Sequence, residues 1–146
     1  MYHRILVPVD GSDLSDRAIS ASIELARQLG ASITGFIAEP ATRIPDLPDY
    51  ASMLSDDIEP ELITEDRAQE VLARFEARAH AAGVPFEGHF AHVPRVDRAI
   101  IDAAESRNCD LIVMVTHGRG AFGEFLFGSQ TKAVLSASRL PLLVLH

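Results

Sequence analysis

The sequence predicts an α/β fold, a three-layer sandwich in which a five-stranded parallel sheet carries helices on both faces, and three observations support it. Five short apolar runs recur along the 146 residues. The first, Ile5 to Val9, is rich in β-branched residues and lacks the polar alternation of a sheet with one wet face, as expected of a strand buried on both sides. Between the runs lie segments whose apolar residues keep helical spacing, giving the alternation β-α-β-α-β-α-β-α-β and hence right-handed crossovers.

Pro8 and the turn Asp10-Gly11-Ser12 end the first strand. Ser12 is placed to cap a first helix whose inward positions are Ala18, Ser22, Leu25, Ala26 and Leu29, and Gly30 stops it. Ser32 to Ala38 is the second strand. Glu39 to Glu61 carries Pro40, Pro45, Pro48 and Pro60 among several acids, and reads as an excursion with at most one helical turn around Tyr50 to Leu54. It either covers a ligand or is a solvated connection. From Leu62 to Ala82 the set Ala68, Val71, Leu72, Phe75 and Ala79 forms one apolar stripe, closed by Gly83 and Pro85.

Phe86 to His92 is a third strand, less apolar than the others and so expected at an edge. Pro94 stands near the start of a third helix with Val96, Ala99, Ile100 and Ala103 facing inward. Leu111 to Val115 is the fourth strand, a fourth helix begins near Ser129, and Leu140 to Leu145 is the fifth strand. No repeat or second domain interrupts residues 1–146.

The bulk composition excludes several functions. A formal charge of −8 argues against a nucleic-acid scaffold, which needs Lys and Arg to neutralise phosphates. No apolar run reaches membrane-spanning length, and the start MYHRILVPVDGS lacks the shape of a signal peptide. Cys109 is the only cysteine, so there is no intramolecular disulfide framework. A cytoplasmic protein is the expectation.

Asp110 to Leu135 is the stretch most plainly organised for a task. A strand ends at Val115, a loop holds Gly118, Gly120, Gly123 and Gly128, and a helix restarts near Ser129. Such a junction gathers backbone N–H groups and the positive end of a helix dipole, which suits an anion and most often a phosphate. In parallel α/β sheets a ligand settles beyond the carboxyl ends of the strands, where strand order reverses. With strands one and four as neighbours there, Asp10 and Gly118 face each other across the crevice.

Two familiar glycine patterns fail. Gly118, Gly120 and Gly123 fit the dinucleotide spacing, but no acid follows Glu124 to hold a ribose. Gly123 and Gly128 have P-loop spacing, with Ser129 where the phosphate-binding lysine belongs. The third fit covers the whole chain: ILVPVDGSDLSDRA at the start, DLIVMVTHGRG and LFGSQTKAVL in the middle, and LPLLVLH at the end. Together these segments strongly resemble the universal stress protein family.

That resemblance implies an adenine-nucleotide alpha-hydrolase-like fold with strand order 3-2-1-4-5, ATP or a related adenine nucleotide as ligand, and a homodimer joined through the last strand, Leu140 to Leu145. Carried over by position, Gly118 and Gly128 let main chain approach phosphate oxygens, and Ser129, Gln130 and Thr131 supply N–H and hydroxyl donors. Val115 stands where the family pattern has its first glycine. Pro8, Val9 and Ile37, at the ends of the first two strands, flank the adenine through backbone and apolar contact. Asp10 lies near the phosphates, where a carboxylate is compatible with them through Mg²⁺. Glu124 adds like charge in the loop, which Arg119 and Lys132 offset.

Other residues carry weaker readings. His117, Asp10 and Ser129 can be drawn as a hydrolytic triad, but nothing marks an activated serine. His89 and His92 point to opposite faces at strand spacing, which disfavours a shared metal. Cys109 is a turn residue with no cation beside it to make a reactive thiolate. The closing LLVL is apolar on both faces and suited to pairing with a second copy. With no general base or transition-state cation to name, the sequence reads as a nucleotide-binding sensor or regulator rather than an enzyme. A nucleotide-independent dimeric interaction module of the same fold is the alternative, and a weak hydrolase the third.

Overall fold

The structure, a computed structural model, describes residues 1–11, 13–40, 64–115 and 129–145. The elements are β1 (Arg4–Pro8), α1 (Asp13–Leu29), β2 (Ser32–Pro40), α2 (Glu65–Ala81), β3 (Phe86–Val93), α3 (Val96–Ser106), β4 (Leu111–Val115), α4 (Ser129–Ala137) and β5 (Leu142–Leu145). The five strands form one sheet in the order β3-β2-β1-β4-β5, and every neighbouring pair is parallel. β3 is indeed at an edge.

Handedness then sorts the helices. The chain steps one way from β1 to β2 to β3 and the other way from β3 past β1 to β4 and β5, so right-handed crossovers place α1 and α2 on one face and α3 and α4 on the other. Burial agrees. Ile5, Val7, Ile33, Ile37 and Val113 pack with Ile19, Ile23 and Ala26 of α1 and with Val71, Leu72 and Phe75 of α2. Leu6, Phe36, Ile112 and Met114 pack with Ile100, Ile101 and Ala104 of α3 and with Val134 of α4. The central strands β1, β2 and β4 alternate their side chains between two dry layers, which is why they read as continuous apolar runs.

The expected stripe of α2 is buried at all five positions. In α1, Ala18, Ser22 and Ala26 are buried as expected, together with Ile19 and Ile23, but Leu29 is 40% exposed. Leu29 keeps the angular position of the stripe but is the last residue of α1, where the helix ends at Gly30. Ser22 tolerates burial because its hydroxyl donates to the Ile19 carbonyl at 3.1 Å. β2 runs two residues beyond its expected end at Ala38, and β5 begins at Leu142 rather than Leu140. The expected Ser12 cap, the turn at Tyr50 to Leu54 and most of the proline-rich excursion lie outside the described residues. No helix among the described residues is long and apolar enough to cross a membrane.

One polar contact fixes the middle of the sheet. The Asp110 carboxylate accepts from the backbone N–H of His3 at 2.8 Å and of Arg4 at 3.0 Å, while the Asp110 N–H donates to the Arg4 carbonyl at 2.9 Å. β1 and β4 are thereby clamped at their amino ends.

Candidate functional site

Toward their carboxyl ends the same two strands lose their hydrogen-bonded register. The β1–β4 ladder consists of two registered pairs and stops at Leu6↔Ile112. On its flanks the ladders run further, to Pro8↔Phe36 between β1 and β2 and to Val115↔Leu145 between β4 and β5. The ladders on both sides are longer than the one in the middle, which is shortest at the point where strand order reverses. Ligands of open parallel sheets settle at such a point.

The wall on the β1 side is made by Pro8, Val9 and Asp10. Val9 is buried, and its N–H donates to the Phe36 carbonyl at 2.9 Å, the last link between β1 and β2. Asp10 is exposed just beyond it. Ile37, main chain included, is fully buried in the layer beneath α1 and α2. That main chain points elsewhere. Peptide groups alternate along a strand, and because the Phe36 carbonyl faces β1, those of Ile37 face β3 while those of Ala38 turn back toward the end of β1. Ala38 therefore joins the candidate set in the role the sequence reading gave Ile37. Alanine at the end of a strand gives no chemical signal in the sequence; only the observed register reveals it.

On the β4 side, Val115 is half-buried against the α1 and α2 core layer and paired with Leu145. Its branched side chain is a packing group. Ser129 opens α4 in its first turn, where backbone N–H groups have no partner within the helix. Gln130 and Lys132 are exposed, whereas Thr131 is only 3% exposed, so its side chain faces the interior and its main chain is what it can offer a ligand. Gly118, Arg119, Glu124, Gly128 and His117 lie outside the described residues, as does the side chain of Ser129. The drawn triad of His117, Asp10 and Ser129 is outside them for the same reason.

Among the described residues no group of three or more His, Cys, Asp or Glu is placed to hold a metal. A cation at Asp10 would need its remaining ligands from a bound phosphate and water, which is how Mg²⁺ sits on nucleotides. A single exposed carboxylate just past the end of β1 fits an arrangement in which the phosphate and water supply the other ligands.

Glu87, Cys109 and Asp110, three of the perturbed groups, lie toward the amino ends of the strands, away from the crevice. Glu87, near the amino end of β3, is held below the usual carboxylate range by its hydrogen bond with His89, against opposing desolvation and with help from the His89 and Arg107 charges. His89 and His92 do lie on opposite faces: the first meets Glu87 and Arg107, and the second packs its ring on Phe90 at 5.0 Å. Cys109 is more deeply buried than a turn residue need be, and burial pushes its thiol up, a hydrogen bond with Thr34 opposing. That direction disfavours the thiolate.

The universal stress protein family model matches residues 1–146 of the chain. A universal stress protein from Thermus aquaticus is 35% identical over 149 residues, covering 100% of both chains. One from Methanocaldococcus jannaschii is 30% identical over 148 residues, covering 99% of this chain and 82% of that protein. Of solved structures, a universal stress protein family member from Burkholderia pseudomallei superposes with a TM-score of 0.73 at 26% identity, over 98% of this chain and 95% of the other. Three more distant ones hold adenine nucleotides. A universal stress protein in complex with cAMP is 23% identical with a TM-score of 0.70, over 99% and 98% of the two chains. The Archaeoglobus fulgidus protein with dAMP is 19% identical at 0.68, also over 99% and 98%. An Arabidopsis thaliana family protein with AMP bound is 13% identical at 0.66, over 98% and 90%. At these identities the likeness is one of fold, here the adenine nucleotide alpha-hydrolase-like fold.

Proposed function

This chain belongs to the universal stress protein family, and from that premise we propose that it binds ATP or a related adenine nucleotide in the crevice between β1 and β4, as a sensing or regulatory ligand. The observation that carries the reading is the short β1–β4 ladder between two longer ones, at the switch point where strand order reverses, with Asp10 following β1 and α4 following β4. Relatives of the same fold hold cAMP, dAMP and AMP.

In this reading Val9 and the main chain of Ala38, next to Ile37, flank the adenine, and Pro8 and Val115 border the crevice floor. The phosphates meet main chain at Gly118 and Gly128 and the N–H groups of Ser129, Gln130 and Thr131, where the helix dipole favours negative charge. Asp10 reaches them through Mg²⁺, and Arg119 and Lys132 balance the acids. Among the described residues none is placed as a general base, and we read the ligand as one held for sensing or regulation, with slow hydrolysis at most.

The test is calorimetric titration of the purified protein with ATP and Mg²⁺ and with AMP. Saturable heat is expected, and Gly128→Val should abolish it while leaving a cooperative melt, because a branched side chain there fills the space main chain needs for the phosphate. No heat at millimolar nucleotide, or unchanged affinity in the variant, would contradict the site. A second reading, a dimeric interaction module, draws on Leu135 and Leu143, large apolar side chains exposed on α4 and on the edge strand β5. Edge pairing of β5 between two copies would cover Leu143 and the open edge of the sheet.

A further inference from the structure

We infer that Pro8 is the positioning residue that opens the crevice, by withholding the one N–H that would extend the β1–β4 ladder. Its consequence for ligand binding rests on the nucleotide reading above; its structural part does not.

The direction of each peptide follows from bonds on either side. The Val9 N–H donates to the Phe36 carbonyl, so Val7 and Val9 aim their peptide groups at β2, and Leu6 and Pro8 aim theirs at β4. Across the gap the Ile112 N–H donates to the Pro141 carbonyl at 3.0 Å, so Ile112 faces β5, and Leu111, Val113 and Val115 face β1. In a parallel ladder the rung following the registered pair Leu6↔Ile112 runs from the N–H of position 8 to the carbonyl of Val113. Proline has no such N–H.

The same substitution leaves the other flank intact. The pair Pro8↔Phe36 uses the peptide groups of Phe36, Val7 and Val9 and asks nothing of the proline nitrogen. Prolines within sheets are found where no rung is needed, at edges, strand starts and bulges. Pro8 instead stands on the central strand of five, with its missing donor turned toward the switch point. One residue type at one position ends one ladder and spares its neighbour, and the Val113 carbonyl is left facing the opening with no β1 amide to receive.

Restoring the donor tests this directly. Pro8→Ala and Pro8→Val are made in the full chain, and hydrogen exchange of the residue 8 amide is followed by NMR without nucleotide, alongside AMP and Mg²⁺–ATP titrations of wild type and variants. The expected result is a slowly exchanging amide at position 8 with a scalar coupling through the hydrogen bond to the Val113 carbonyl carbon. Nucleotide affinity should then fall about tenfold or more in both variants, with cooperative melting kept. A residue 8 amide that exchanges like an exposed one would overturn the inference, as would a formed rung with wild-type affinity. If wild type itself binds no nucleotide, the functional reading fails while the exchange measurement still decides whether Pro8 holds the ladder open.

Discussion

At position 35 the absence of a side chain is set by two aromatic rings. A Cβ there would lie 2.7 Å from Cζ and 2.9 Å from Cε2 of Phe86, and 3.2 Å from Cδ1 of Phe75. Those rings pack at a centroid distance of 4.7 Å, so neither can withdraw without disturbing the other. Gly35→Ala is expected to cost about 1–3 kcal/mol, seen as a lower urea midpoint with an unchanged slope; an unchanged midpoint would show that the rings repack freely. Nothing in SITGFIA discloses this, because Phe75 and Phe86 come from elements far along the chain. Asp110 is a second case. Desolvation raises its carboxyl, but the His3 and Arg4 N–H groups outweigh that, and its folded pKa lies below its ordinary value. Such a group stabilises fully above the unfolded pKa, and its contribution disappears as pH falls through the lower folded value. Asp110→Asn should therefore cost about 1 kcal/mol, after allowance for solvent screening, near neutral pH. The cost should shrink in acid, and a pH-independent difference in denaturant midpoint would assign the loss to packing instead.

At the scale of the element, three helices end the same way. Ala31 N–H returns to the Ala26 carbonyl after Gly30 at φ 65°, and Val84 N–H to Ala79 after Gly83 at φ 74°. Cys109 N–H returns to Ala104 after Asn108 at φ 56°. The two glycines were legible as helix stops, since glycine takes positive φ at little cost. Asparagine serves the same turn, since its short polar side chain tolerates the left-handed region. Strand ends were less legible than strand positions. β2 outruns β1 because β3 continues to support it as far as Pro40↔Val93, a tertiary cause invisible in the local run. Val115 shows what burial adds to motif reading. Its letter departs from the family glycine, yet its side chain packs on the core layer. Val115→Gly should therefore lower stability by about 1–3 kcal/mol and leave nucleotide affinity no tighter, by thermal melt and titration. Tighter binding in the variant would show that the valine obstructs the ligand.

At the scale of the molecule, two central strands are pinned together at one end by Asp110 and lose their hydrogen-bonded register toward the other. Alternating apolar runs and helical stripes made the parallel sheet and its two covered faces readable. Strand order came with the family resemblance rather than from spacing, and the shortness of the β1–β4 ladder came from neither, because ladder length depends on which peptides meet. The central claim is that the carboxyl end of this short ladder is where an adenine nucleotide sits. Amide chemical-shift mapping on addition of AMP or Mg²⁺–ATP tests it most directly. The account predicts the largest shifts at Val9, Asp10, Ala38, Val115 and Gln130, around the carboxyl end of the crevice. Shifts confined to the opposite end, at His3, Asn108 and Arg107, or no shifts at saturating nucleotide, would contradict it.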